Sequence, residues 1–148
     1  MMTHPHITIQ LGQCGNQLGP ELMSLVWDEA KHHDEDAARD VIDCYFRADA
    51  GHAISRSVLV DTEPRVVRGA ASVGVAARGW RFDSSMIVCR QSGAANNWAH
   101  GFAMAGPVLC DDMLDAVRRE VEMADAIGGF SVIQSLAGGT GSGLGACA

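Results

Sequence analysis

The chain has 148 residues, 47% of them hydrophobic and 20% charged, the composition of a soluble globular unit of about one domain. A formal charge of −7 works against a nucleic-acid partner, and a single lysine, Lys31, with scattered arginines offers no basic stripe for a membrane surface. The five cysteines, Cys14, Cys44, Cys89, Cys110 and Cys147, form no C-x-x-C pair and fit a reduced, cytoplasmic setting; no segment reaches the ~20 apolar residues of a membrane span, and Met1 to Gln10 lacks the unbroken apolar run of a signal peptide.

His6 to Leu11 alternates Ile7, Ile9 and Leu11 with Thr8 and Gln10, which predicts a strand running into a turn at Gly12. Leu18, Leu22, Leu25 and Val26 then recur at helical spacing, predicting a helix over roughly Asn16 to Lys31. From His32 to Ala53 the pattern fails amid charged residues, and a surface excursion is expected. Ser57 to Val60 reads as a short strand ending at Asp61, with a short helix starting near Glu63-Pro64, since proline suits a first helical turn. Met86 to Cys89 is a third apolar run, leading into the loop Gln91 to Trp98. After Pro107, Cys110, Met113, Leu114, Val117 and Val121 share one helical face, and Gly128-Gly129 ends that helix. Phe130 to Leu136 reads as a strand buried on both faces, emptying into a glycine-rich run. Strands alternating with helices predict a mostly parallel α/β sheet flanked by helices.

In a parallel sheet the loops leaving the strands' carboxyl ends share one edge, where ligands bind. Here those loops are Gly12 to Gln17, Asp61 to Pro64, Gly93 to Asn97 and Ala137 to Gly143. Gly138-Gly139-Thr140-Gly141-Ser142-Gly143 combines close-approach glycines with hydroxyls and suits a phosphate held by backbone N–H groups; a flexible glycine-serine linker is the alternative. A G-x-x-x-x-G-K-[ST] loop is excluded, because the one lysine lies far away. Gly141, Gly143 and Ala146 satisfy G-x-G-x-x-[GA], which leaves open a nucleotide-dependent oxidoreductase, although that motif belongs on an early strand. Without a lysine, phosphate charge falls to backbone dipoles, hydroxyls and a magnesium ion, for which Asp61 and Glu63 are the candidates, acting through water. The same two residues could instead cap the helix after Pro64.

Gly12-Gln13-Cys14-Gly15-Asn16-Gln17, Val60-Asp61-Thr62-Glu63-Pro64, Asn96-Asn97-Trp98-Ala99 and Gly138 to Gly143 together resemble the tubulin superfamily, in that order and at similar separations. The delta branch is the nearest in Arg56 to Val67, Asn96 to Pro107 and Arg118 to Glu122, with the gamma branch, which works in microtubule nucleation, as its rival. The resemblance implies a Rossmann-like, tubulin-type GTPase N-terminal domain, with residues 1–148 as a single incomplete domain, because the helix after the glycine run is expected to begin only where the chain stops. It implies GTP or GDP with Mg²⁺ as ligands and other tubulin-family subunits as partners, with no nucleic acid and no membrane. A delta-like protein would work at centrioles, basal bodies or flagella.

By the same resemblance, Gly12, Gln13, Cys14 and Gln17 form the first nucleotide loop, with the Gln13 and Gln17 amides facing phosphate and magnesium and Cys14 near ribose and base. Asp61 and Glu63 lie near the γ-phosphate and magnesium, Asn96 is the third-loop asparagine, and Ser135, Gly138, Gly139, Thr140 and Gly141 form the phosphate loop. Trp98 is expected in the core. Residues that read the base, and the catalytic acid lent by a neighbouring subunit, would come from segments outside this chain. One departure is Ala95, where tubulins carry glycine before the asparagine pair; if that position needs positive φ, Ala95 costs on the order of 1 kcal/mol and Ala95→Gly should tighten nucleotide binding. The histidines show no metal-ligand spacing.

Overall fold

The computed structural model describes residues 4–72, 79–91 and 96–147. Ala95 and most of the predicted 93–97 loop lie outside the described residues, so the backbone at position 95 is not addressed.

Four parallel strands form the main sheet: β1 (His6–Leu11), β4 (Ser57–Asp61), β6 (Ile87–Cys89) and β7 (Gly129–Ile133), in the order β6-β4-β1-β7. Every residue of β4 is buried, as a central strand covered on both faces requires. On one face Ile9, Leu11, Val58, Val60, Met86 and Val88 pack against Leu109, Met113 and Ala116 of α5 (Gly106–Val121). On the other, Leu59 meets Met23 of α1 (Gly12–Ala30), Val67 and Ala70 of α3 (Pro64–Ser72), and the aromatic residues Phe46, Trp80 and Phe82. These layers bring the carboxyl ends of β1, β4, β6 and β7 to one edge.

Several expectations are corrected. The first helix begins at Gly12 instead of Asn16, so the Gly12 to Gln17 segment is itself the helix N-terminus; Gly12 makes this abrupt entry possible with φ +68°. Residues 32–53 are not an irregular excursion. Asp34 accepts a hydrogen bond from Ala37 N at 2.9 Å and caps α2 (Glu35–Tyr45), after which β2 (Phe46–Asp49) and β3 (His52–Ser55) form a hairpin extended by β5 (Trp80–Arg81) into a three-stranded sheet. On α5 the buried positions are Leu109, Met113, Ala116 and Glu120, while Leu114 is exposed. That helix ends at Val121, before the glycines, and among the described residues β7 stands at the edge of the sheet, with Phe130 and Val132 about half exposed instead of buried on both faces. The helix expected only beyond the glycine run starts within it, as α6 (Thr140–Leu144).

Candidate functional site

A cavity of about 650 Å³ opens at the carboxyl edge of the main sheet, lined by Leu11, Gln13, Cys14, Gln17, Leu18, Asp61, Glu63, Asn96, Ser135, Ala137, Gly138, Gly139, Thr140 and Gly141. Every predicted site residue lines it except Gly12, which stands in its wall: a Cβ on Gly12 would lie 2.7 Å from Gly141 N. Segments far apart in sequence therefore meet at one place, and what draws them together can be named contact by contact.

The first segment is the start of α1. Its N-cap, Leu11, offers no side-chain hydrogen bond, so the first backbone N–H groups of a 19-residue helix are left for a ligand, and the helix dipole adds its positive end there. Asn16 braces this helix start from behind, since its Nδ2 donates to Gly12 O at 2.9 Å and to Val60 O at 3.0 Å, tying α1 to the end of β4. The second segment leaves β4. Asp61 is 2% exposed; its Oδ1 accepts from Thr62 N at 2.7 Å and Glu63 N at 3.2 Å, while its Oδ2 is buried without a partner. Burial raises the Asp61 pKa, opposed by those two N–H groups and reinforced by the nearby Glu63 charge.

Thr62 and Thr140 share a hydroxyl hydrogen bond of 2.9 Å, which joins the second segment to the glycine run. Asn96 adopts φ +53°, a left-handed conformation that asparagine tolerates better than most residues, and its Oδ1 lies 2.9 Å from where a Cβ on Gly138 (φ +93°) would sit. Asn97 caps the short helix α4 (Trp98–His100) by accepting from His100 N, and α4 continues through a π-helical turn at Gly101–Ala105 into α5. Contrary to expectation, Trp98 is 48% exposed; it stacks on Phe102, ring centroids 5.0 Å apart, and its indole N–H donates to Ser142 O at 3.1 Å. Gly101 and Gly143 let this turn press directly against α6. Ser142 Oγ in turn donates to Gly138 O at 2.7 Å, closing the glycine run on itself. A flexible linker would make no such contacts.

Asn16, Thr62 and Trp98 Nε1, none of them marked by its own chemistry in the sequence, hold the site's walls together. The only signal for them was their position inside the motifs, because their partners are main-chain or hydroxyl groups from other segments.

The lining contains no cation and two acids, so an anionic ligand would need a positive ion of its own. The residues present fit a hydrated divalent cation: Asp61 supplies an orphaned buried carboxylate oxygen and Glu63 a second carboxylate in the same cavity. Among the described residues no group of three or more His, Cys, Asp or Glu could cage a metal, which suits magnesium, since it is usually held by one or two carboxylates, water and substrate phosphates. The G-x-G-x-x-A spacing of Gly141 to Ala146 falls within α6 and the turn that ends it, not on a strand-to-helix turn, which removes the basis for the oxidoreductase alternative. No helix among the described residues is long and apolar enough to cross a membrane.

Residues 6–148 match the Tubulin/FtsZ family, GTPase domain. Over 149 aligned residues the chain is 36% identical to the tubulin delta chains of Macaca fascicularis and Homo sapiens, covering 95% of this chain and 33% of each relative. Over 147 residues it is 40% identical to the tubulin beta-6 chain of Ectocarpus variabilis, covering 94% of this chain and 32% of that relative. It thus spans about a third of the length of the curated relatives it matches. With its parallel sheet and converging loops, the chain belongs to the Tubulin/FtsZ family and carries sequence of its GTPase domain.

Proposed function

We propose that the cavity holds the phosphates of a guanine nucleotide, GTP or GDP, together with Mg²⁺, in a cytoskeletal protein of the tubulin type. The observation that carries this reading is the meeting of four sequence-distant segments around one cavity that has an uncapped helix start, a glycine run and two acids but no basic side chain. In this reading the first N–H groups of α1 and of the Gly138 to Gly141 run grip phosphate oxygens, with the Gln13 and Gln17 amides and the Thr140 hydroxyl beside them. Asp61 and Glu63 orient the hydrated magnesium, whose contribution when bound is to neutralise phosphate charge. Cys14 contacts ribose or base and is not a nucleophile, Asn96 and Ser135 complete the wall, and Gly12 keeps the first segment close to Gly141.

The partners proposed are other tubulin-family subunits, and the place of action is the cytoplasmic cytoskeleton. The likeness to delta chains supports a role at centrioles, basal bodies or flagella. Calorimetric titration of the purified protein with GDP and GTP, with and without Mg²⁺, tests the site. Binding that weakens at least tenfold on magnesium removal or in Asp61→Ala is expected, whereas absence of binding to either nucleotide would overturn the reading. A tagged chain that decorates microtubule walls evenly, instead of collecting at centrioles or basal bodies, would overturn the delta-like role.

A further inference from the structure

Two cysteines meet where α5 lies against the end of α6. Cys110 lies on α5, four residues after Gly106, and its Sγ donates to the carbonyl of Cys147 at 3.3 Å. The sulfur of Cys147 itself sits over Gly106, 2.8 Å from where a Cβ on that residue would project. Gly106 and Cys110 share one face of α5 because they are one helical turn apart. Cys147 thus sets both its carbonyl and its sulfur against this one face of α5. Both thiols are free and partly buried.

We propose that Cys110 and Cys147 are an oxidative modification site: they form a reversible disulfide that clamps the end of α6 to α5. The oxidant is a small-molecule disulfide such as oxidised glutathione. One of the two cysteine thiolates attacks one sulfur of the oxidant, breaking its S–S bond and releasing one glutathione thiolate; the other cysteine thiolate then attacks the cysteine sulfur of that mixed disulfide, displaces the second glutathione and closes the new S–S bond. The two cysteine protons leave with the two glutathione products, and two electrons pass from the cysteine sulfurs to the oxidant. Burial raises the pKa of Cys110, helped by the neighbouring Cys147. The clamp bears on the candidate site because α6 starts at Thr140, in the cavity wall, and Cys147 follows it by one turn. That consequence for a nucleotide rests on the proposed function; the disulfide does not.

The test equilibrates the purified protein in glutathione buffers of rising oxidised fraction, alkylates free thiols and maps tryptic peptides by mass spectrometry without reduction. Cys110 is the only cysteine of the peptide Gln91 to Arg118, and Cys147 the only one from Glu120 onward. These two peptides should appear joined, lighter by two hydrogens than their sum, and separate on reduction; Cys110→Ser or Cys147→Ser should abolish the joined species. The joined form should melt higher by roughly 5–10 °C, reversibly with dithiothreitol, in keeping with a cross-link across a separation of 37 residues. Joined peptides without higher melting would overturn the clamp. Alkylatable thiols throughout, or glutathione left attached to either cysteine, would overturn the site, and neither outcome depends on a variant folding or on nucleotide binding.

Discussion

The four-stranded sheet is held by apolar burial on both faces, with β4 wholly covered between α5 on one side and α1 and α3 on the other. The three-stranded sheet of β2, β3 and β5 is attached differently. Phe46 and Trp80 anchor it through an aromatic run that includes Trp27 and Phe82, with neighbouring ring centroids 5.0–5.7 Å apart. Beside it, Glu120 of α5, fully buried, accepts from Arg47 of β2 and from Arg56 at the mouth of β4, each at 3.3 Å, while Arg47 also pairs with Asp83. Burial raises the Glu120 pKa despite both guanidinium groups, and burial lowers that of Arg56 despite Glu120, so desolvation outweighs pairing for both partners. Apolar packing stabilises the large sheet, whereas the charge cluster mainly sets where the small sheet docks.

Breaking the cluster should give the largest effect. Glu120→Ala leaves two nearly buried guanidinium groups without their shared acceptor and should cost about 3–5 kcal/mol in urea unfolding, far more than an exposed pair such as Arg90–Asp112, which contributes at most about 1 kcal/mol. A loss below that of the exposed pair would show that apolar contact alone docks the small sheet.

Gly12 and Gly51 have similar φ, +68° and +82°, but a Cβ on Gly12 meets Gly141 backbone whereas one on Gly51 meets nothing within 4 Å. Gly51→Ala should therefore cost only the conformational strain of about 1–2 kcal/mol. Gly12→Ala adds the displacement of the glycine run, for roughly 2–4 kcal/mol in all, and should abolish nucleotide binding measured by calorimetry.

The same contrast explains what could be read beforehand. β1 and β4 follow from alternation and an apolar run, and the glycine run with Asp61 and Glu63 follows from glycines and acids at strand ends, whereas Gln13, Cys14, Gln17, Asn96 and Ser135 follow only from the resemblance to the tubulin superfamily. The small sheet was hidden for physical reasons: α2 buries no residue fully, so Ile42 and Tyr45 give its apolar face only a faint signal among acids, and the β2–β3 turn lacks an Asn-Gly pair. Hydrophobicity predicted burial for β7, but burial depends on a neighbour and not on the strand itself, and among the described residues β7 pairs on one side only, with β1. The left-handed residue of the third segment among the described residues is Asn96, which no spacing rule distinguishes from Asn97.

A smaller effect tests the charge cluster through pH. Burial pushes the Asp83 pKa up, but hydrogen bonds from the Ser85 hydroxyl and N–H and from Arg47 overcome it, leaving the group below its ordinary 3.8. A depressed carboxylate adds stability that is present above 3.8 and is lost as pH falls through the lower folded value. Asp83→Asn should therefore be less stable than wild type by about 1 kcal/mol at neutral pH, with the gap closing below 3.8 in acid-unfolding curves. A gap that stays constant with pH would mean that the Asp83 contacts act through shape and not charge.

The gentlest test is made in the hairpin of the small sheet. Asp49 pairs with His52 across the two-residue turn Ala50-Gly51, and both turn residues have positive φ, +48° and +82°, the geometry of a type I′ turn. Alanine is poorly suited to the first of these positions, whereas asparagine enters the left-handed region at lower cost. Ala50→Asn should stabilise the protein by roughly 0.5–1 kcal/mol, read as a higher urea midpoint at unchanged slope, and leave nucleotide affinity as it was. Because the turn touches neither the cavity nor the charge cluster, this gain should add independently to the loss in Glu120→Ala; a double variant that departs from additivity by more than about 0.5 kcal/mol would show the hairpin and its docking cluster to be one cooperative unit.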